Sequence, residues 1–310
     1  MIAYFLRRVL HMIPVFVGVT CITFALMNLT PGDPAEIMLR GASGVQPSQE
    51  AIEAAREAMG LNDPVYKQYA AWLWRVVHLD LGRSYSSNLP VWQELTDRLP
   101  ATLLLGMWAL AAMLAISLPL GIGSALYPHS WADRLARVIA MLSVSMPGYW
   151  LGLLLVYYGS VKLKLFPVMG MDGLRSVVLP ALTLGIGMAG NYIRVIRSGL
   201  LDVLGTSYIK AARAKGLQES LVIGRHAVVN ALLPVMTMLG INIGGLLGGS
   251  VIVETIFSWP GIGKFAVDAI FKKDFIVIQG YVLLMAVFVV SVNLAVDLCY
   301  RMIDPRIRLR

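Results

Sequence analysis

Six stretches of this chain are predominantly apolar and contain no Asp, Glu, Lys or Arg: Val9 to Leu29, Ala101 to Tyr127, Val138 to Val161, Val177 to Ile193, Ala231 to Val253 and Phe275 to Val296. A helix crossing ~30 Å of hydrocarbon at ~1.5 Å per residue needs about 20 such residues. Each stretch therefore predicts one spanning helix. The fourth is the shortest, and the second is long enough to tilt or to kink at Pro119. A closed barrel would instead show alternating strands of about ten residues, a pattern absent here. The first apolar run is too long for a signal-peptide core and no small-residue cleavage site follows it, so it reads as an anchor.

Between the first two stretches lies a polar segment with its own helical punctuation. Ser48 is placed to cap a helix through Met59 that Gly60 stops, and Asp63-Pro64 opens a second helix through YKQYAAWLWRVVHL to about Leu79. Its aromatics, Tyr66, Tyr69, Trp72 and Trp74, fit a helix at the lipid headgroup level, one packed on neighbouring spans, or a dock for an outer partner.

Composition strengthens the membrane reading. The chain is 57% hydrophobic and 14% charged, with mean hydropathy +0.71, whereas soluble domains carry about 25% charged residues. The net charge of +8 would otherwise raise nucleic-acid binding, but the basic residues flank spans and no basic stripe interleaved with aromatics exists. Fourteen of the 26 lysines and arginines lie on the side of the two termini, among them Arg7, Arg134, Arg194, Arg225 and Arg301. Positively charged short loops stay cytoplasmic. Both ends are thus expected in the cytoplasm and segment 30–100 outside.

Enzyme chemistry finds little purchase. Gly185-Ile186-Gly187-Met188-Ala189-Gly190 matches a dinucleotide fingerprint, but it sits inside a span, where close helix packing explains it. Gly261-Ile262-Gly263-Lys264 lacks the glycine and hydroxyl residue of a P-loop, so ATP is not bound here by that motif. His11, His78, His129 and His226 are scattered, no carboxylate pair shares a span, and Cys21 and Cys299 form no CxxC metal site. No metal site and no cofactor bound by this chain are expected. Ion coupling by a stand-alone carrier or channel is disfavoured, because the nearest intramembrane acid, Asp297, is placed to pair with Arg301 at a helix end.

Two patterns remain. In the fifth stretch Gly240, Gly244 and Gly248 recur every four residues, as do Gly245 and Gly249, giving two small ridges suited to helix packing. In the inner loop 194–230, Gly205, Thr206 and Ser207 offer a break and an N-cap. Tyr208 to Lys215 reads as about two helical turns, with Arg213 and Lys215 favouring the C-terminal end of the dipole and Gly216 stopping the helix in a left-handed turn. Ile209, Ala212, Arg213 and Gly216 fall near one face, and such a small-residue helix fits a groove on another protein.

The string KAARAKG, Lys210-Ala211-Ala212-Arg213-Ala214-Lys215-Gly216, followed by Leu217, resembles the EAA motif of ABC importer permeases, with Lys210 at the Glu position. The resemblance extends along nearly the whole chain: LRR from Leu6, TPGDP from Thr30, GLNDPVYKQY from Gly60, LPATL from Leu99, SMPGYW from Ser145, HAVVNALLP from His226, ETIFSWPGIG from Glu254 and DPRIR from Asp304. Together these look like the dipeptide, oligopeptide and nickel branch.

The resemblance implies an all-α type I ABC importer permease of six transmembrane helices. Its expected divisions are residues 1–29, an extracytoplasmic segment 30–100, and a core 101–310 carrying the coupling loop. It further implies a second homologous permease, two ATPase subunits that hold ATP and magnesium, and an extracytoplasmic substrate-binding protein, all in the bacterial inner membrane. The short helix Tyr208–Leu217 would dock on an ATPase, and Glu254, Phe257, Trp259, Pro260, Gly261 and Gly263 would help form an outer gate. The cargo stays open between peptides and nickel, free or chelated.

Overall fold

The computed structural model describes residues 2–29, 32–43 and 46–303. Every regular element among them is helical. In chain order these are α1 (Ile2–Leu29), α2 (Pro34–Ser43), α3 (Gln49–Ala58), α4 (Val65–Val77), α5 (Val91–Leu126), α6 (Trp131–Ser145) and α7 (Gly148–Leu155), then α8 (Leu174–Leu204) and α9 (Ser207–Ala214). The short turns α10 (Glu219–Leu221) and α11 (Val229–Ala231) precede α12 (Leu233–Ile256), α13 (Ile262–Phe271) and α14 (Phe275–Ile303). Wider π-helical segments occupy Val156–Lys162 and Val222–Val228.

Among the described residues, four helical segments are long and apolar enough to cross a membrane: Val91–Leu126, Leu174–Leu204, Glu219–Gly240 and Phe275–Val296. The pair Trp131–Ser145 and Gly148–Lys162 makes a fifth if it counts as one span. That pair corrects the third expected span, Val138 to Val161, because its two parts meet at 108°. The cause is local. Pro147 disfavours the helical region for the residue before it, and Met146 adopts φ −87°, ψ 125°. The first expected stretch, Val9 to Leu29, lies within the single 28-residue helix α1. The fourth stretch gains at both ends, becoming 31 residues with Arg194 and Arg197 inside the helix.

The chain divides into two compact units, Met1–Pro100 with Gly261–Ala295 and Ala101–Pro260 with Val296–Arg310. In the first, Ser48 has an extended backbone and its hydroxyl accepts from the amide of Ala51, while Gly60 turns the chain at φ +68°. On α4 the aromatics separate. Trp72 is buried against Phe24 and Leu283, and the Tyr69 hydroxyl lies 2.9 Å from Thr20 Oγ1, whereas Tyr66 and Trp74 stay exposed. Packing onto neighbouring helices therefore accounts for two of the four rings. The loop before α5 is held by Asp274, which accepts from Ser84 Oγ at 2.6 Å and from the amide of Ser86 at 3.1 Å. Beside it burial, with the charge of Asp274 adding to it, pushes the Tyr85 phenol above its usual range. Gly280 admits Val91: a Cβ there would lie 2.7 Å from Val91 Cγ1.

The second unit is arranged around α8. Inside the protein lies 61% of its most apolar window, against 22–28% for the other candidate spans. Glycines set its approach distances. A Cβ on Gly190 would come to 2.5 Å from the Ala140 carbonyl oxygen of α6, and one on Gly185 to 2.9 Å from the Ala109 carbonyl oxygen of α5. Gly185 and Gly190 of the dinucleotide-like string are thus packing positions. Near the N-terminus of α6, Asp133 is fully buried and collects Arg197 Nε at 2.9 Å, Ser124 Oγ at 3.0 Å and the His129 amide at 3.0 Å, with Arg137 at 3.3 Å. This one carboxylate ties α5, α6 and α8 together.

Candidate functional site

The loop after α8 carries the expected short helix. Thr206 stands at its N-cap with an extended backbone, φ −72° and ψ 154°, but its hydroxyl turns back to the Val203 carbonyl at 2.6 Å and leaves the helix amides alone. At the other end Gly216 adopts φ +76°, a conformation glycine takes at little cost. No heavy atom lies within 4 Å of where a Cβ would stand on Gly216, so backbone conformation and not space requires the glycine. The predicted stripe splits. Ile209 is fully buried in a cluster with Ala125, Leu200, Val222 and Ala227, and Ala212 packs beside it, whereas Arg213 and Gly216 face outward. Arg213 instead forms a two-pronged pair with Glu219, Nη2 to Oε1 at 2.6 Å and Nε to Oε2 at 3.1 Å. The helix thus has an anchored face and an outward face of Tyr208, Lys210, Ala211, Ala214, Lys215 and Leu217.

The residues expected at an outer gate fall on both units. In the second unit Glu254 is fully buried and accepts from Thr102 Oγ1 at 2.8 Å and Ser250 Oγ at 3.2 Å. Trp259, also fully buried, donates from Nε1 to the Ala101 carbonyl at 2.8 Å. The carbonyl of Phe257 accepts from the amide of Gly170 at 3.0 Å, and Pro260 is exposed. In the first unit Gly261 provides the N-cap of α13 and Gly263 is buried in its first turn.

The glycine ridges of α12 divide by environment. At Gly240 a Cβ would overlap the Val296 side chain of α14, so this position packs. Gly245, Gly248 and Gly249 are exposed, with nothing within 4 Å of a Cβ, and Gly244 is half-buried. Gly245 borders a cavity of about 310 Å³ between α8 and α12, whose wall includes Met188, Asn191 and Tyr192 from α8 and Met238 and Asn242 from α12. Asn242 Nδ2 donates to the Tyr192 hydroxyl at 3.2 Å, and Arg194 Nη2 donates to Asn191 Oδ1.

Sequence reasoning passed over these two asparagines because it screened the apolar stretches for charge alone. Neutral amides inside such stretches are the signal that would have found them. Asp133 and Arg197 escaped for another reason: they are 64 residues apart, and only packing brings them together. The expected Asp297–Arg301 pair lies among side chains outside the described set. Among the described residues no group of His, Cys, Asp and Glu could hold a metal ion.

Helices throughout the described residues, several of them candidate spans around a buried central helix, define a multi-pass membrane protein. The chain belongs to the family described as binding-protein-dependent transport system inner membrane component, matched over residues 117–309, with the companion N-terminal membrane-component model matching residues 1–106. It is therefore an ABC importer permease of the dipeptide and peptide branch, located in the inner membrane. Among its relatives, the dipeptide transport system permease protein DppB of Escherichia coli (strain K12) is 39% identical, the alignment covering 99% of each chain. The glutathione transport system permease protein GsiC of Pectobacterium atrosepticum is likewise 39% identical over 99% of each. Among solved structures, inward-facing forms of the MetNI methionine ABC transporter superpose with TM-score 0.58 at 19% identity, covering 68% of this chain and 97% of that one. That likeness carries the fold.

Proposed function

We propose that this chain is the permease subunit of an ATP-driven importer for short peptides, crossing the membrane six times with both termini in the cytoplasm. It works beside a second homologous permease, two ATPase subunits and an extracytoplasmic binding protein that delivers cargo. The observation carrying the cargo reading is full-length identity to permeases named for dipeptide and glutathione transport, both short peptides.

In this reading α9 is the coupling helix. Its outward face, with Lys210, Ala211 and Ala214, meets an ATPase, and Ile209 transmits the ATPase displacement to α8 and α5 through the Leu200 and Ala125 cluster. ATP binding shifts the balance between outward and inward access, which is a binding-energy mechanism without chemistry on the cargo. Glu254, Phe257 and Trp259 act near an outer gate, where irregular backbone after α12 is supported by buried hydrogen bonds. The exposed Gly248 of α12, outside the cavity wall, lies against the second permease, where a small residue allows close approach.

The test is a ligand screen on the cognate binding protein with dipeptides, longer peptides, free nickel and nickel chelates, followed by uptake into vesicles holding the assembled transporter. Saturable, ATP-dependent uptake of short peptides is expected. Uptake of nickel or its chelates without peptides would overturn the cargo.

A further inference from the structure

We propose that the cavity between α8 and α12 holds the peptide in transit by its backbone, the side chains of Asn191 and Asn242 pairing with one peptide group of the cargo. The proposal rests on the peptide-importer reading and adds a binding site to it.

The two amides are each half engaged. Asn191 accepts from Arg194 at Oδ1 and has its Nδ2 hydrogens unengaged among the described residues. Asn242 is the converse: Nδ2 donates to Tyr192 and Oδ1 has no partner among the described residues. A side-chain amide carries two donors and one two-lone-pair acceptor, so the cavity presents a donor from one helix and an acceptor from the other. That is the complement of a peptide group, whose C=O accepts and whose N–H donates. The Tyr192 and Arg194 contacts orient both amides.

The remaining surface fits cargo of varied side chains. Met188 and Met238, with Leu184 and Leu246, form flexible apolar walls that adapt to different shapes. Gly187 has nothing within 4 Å of a Cβ, which keeps the wall open. Among the described residues the cavity wall is apolar apart from its two amides and one phenol, a lining suited to an organic ligand. About 310 Å³ lies at the lower end of small-molecule sites, suited to part of a short peptide. Reading backbone and ignoring side chains gives a site that is tolerant of sequence yet selective for the amide.

The experiment uses the complete transporter in proteoliposomes with its binding protein, comparing alanyl-alanine with the depsipeptide in which the amide N–H is replaced by an ester oxygen. Binding-protein occupancy is saturated for both. The ester deletes the donor that Asn242 Oδ1 would accept from, and one lost hydrogen bond corresponds to roughly a 5-fold change. Wild type should import the amide roughly 5-fold faster than the ester. Asn242→Leu should slow the amide by that factor and abolish the discrimination, whereas Asn191→Leu, at an exposed position, should slow both probes equally. Complex yield should stay unchanged in both. Equal wild-type uptake of amide and ester, or unchanged discrimination in Asn242→Leu, overturns this site and leaves the peptide importer standing. Should Asn242→Leu not assemble, Asn191→Leu with unchanged uptake overturns it as well. A wild-type transporter that imports neither probe nor any other short peptide overturns the importer reading instead.

Discussion

At the scale of single residues, glycine and one carboxylate set how closely the helices of the second unit approach. Gly190→Val would drive a branched side chain into the Ala140 carbonyl, already 2.5 Å from an added Cβ. A loss of ~1–3 kcal/mol or more is expected from such overpacking. Gly187→Ala, with open space at the same position, should change thermal unfolding in detergent little. Comparable melting of both variants would show that α6 and α8 do not meet at Gly190. Asp133→Asn removes the charge facing Arg197, whose side chain is 27% exposed. Breaking a buried pair costs ~3–5 kcal/mol, and this partial exposure moves the expectation to the low end. The same melting assay, with Arg197→Met added to Asp133→Asn, should recover part of the loss, since the double change leaves no unpaired buried charge.

At the scale of elements, α9 is a two-turn helix that could not stand alone, because isolated helices shorter than ~12 residues are marginal in water. Its stability comes from Ile209 in the Leu200 cluster and from the Gly216 turn. Gly216→Asn should be tolerated, since asparagine enters the left-handed region readily, whereas Gly216→Val should distort the exit of the helix. In the assembled transporter Gly216→Val is expected to keep membrane insertion but to separate ATP hydrolysis from uptake. Normal coupling in that variant would remove α9 from the docking role. Glu219→Gln, by contrast, breaks only an exposed pair with Arg213, which solvent screens, and should leave thermal unfolding nearly unchanged. The break at Met146 belongs to this scale too. The sequence SMPGYW announces a stop through its proline, yet uniform hydrophobicity on both sides concealed the bend.

At the scale of the whole molecule, apolar surface is left over. Three of the α12 glycines and large side chains such as Trp131, Tyr127 and Trp108 remain exposed in the single chain, an arrangement suited to lipid and to further subunits. Gentle extraction from the native host is expected to bring ATPase subunits with this chain. Purified chain that supports uptake unaided, with no ATPase present, would favour a carrier acting alone.

Composition and periodicity alone determined that this is a helical membrane chain, where most spans lie, and that a two-turn helix stops at Gly216. These are local properties: hydrocarbon demands long charge-free helices, and backbone geometry restricts who can occupy a left-handed turn. Tertiary structure decided which small residues pack and which stay open, since Gly185 and Gly187 look alike in sequence and differ only in what stands opposite. It also decided which face of α9 turns inward, how sharply α6 meets α7, and that Asn191 and Asn242, 51 positions apart, line one cavity. Each depends on a neighbour distant in the chain, and proximity of that kind arises only from packing.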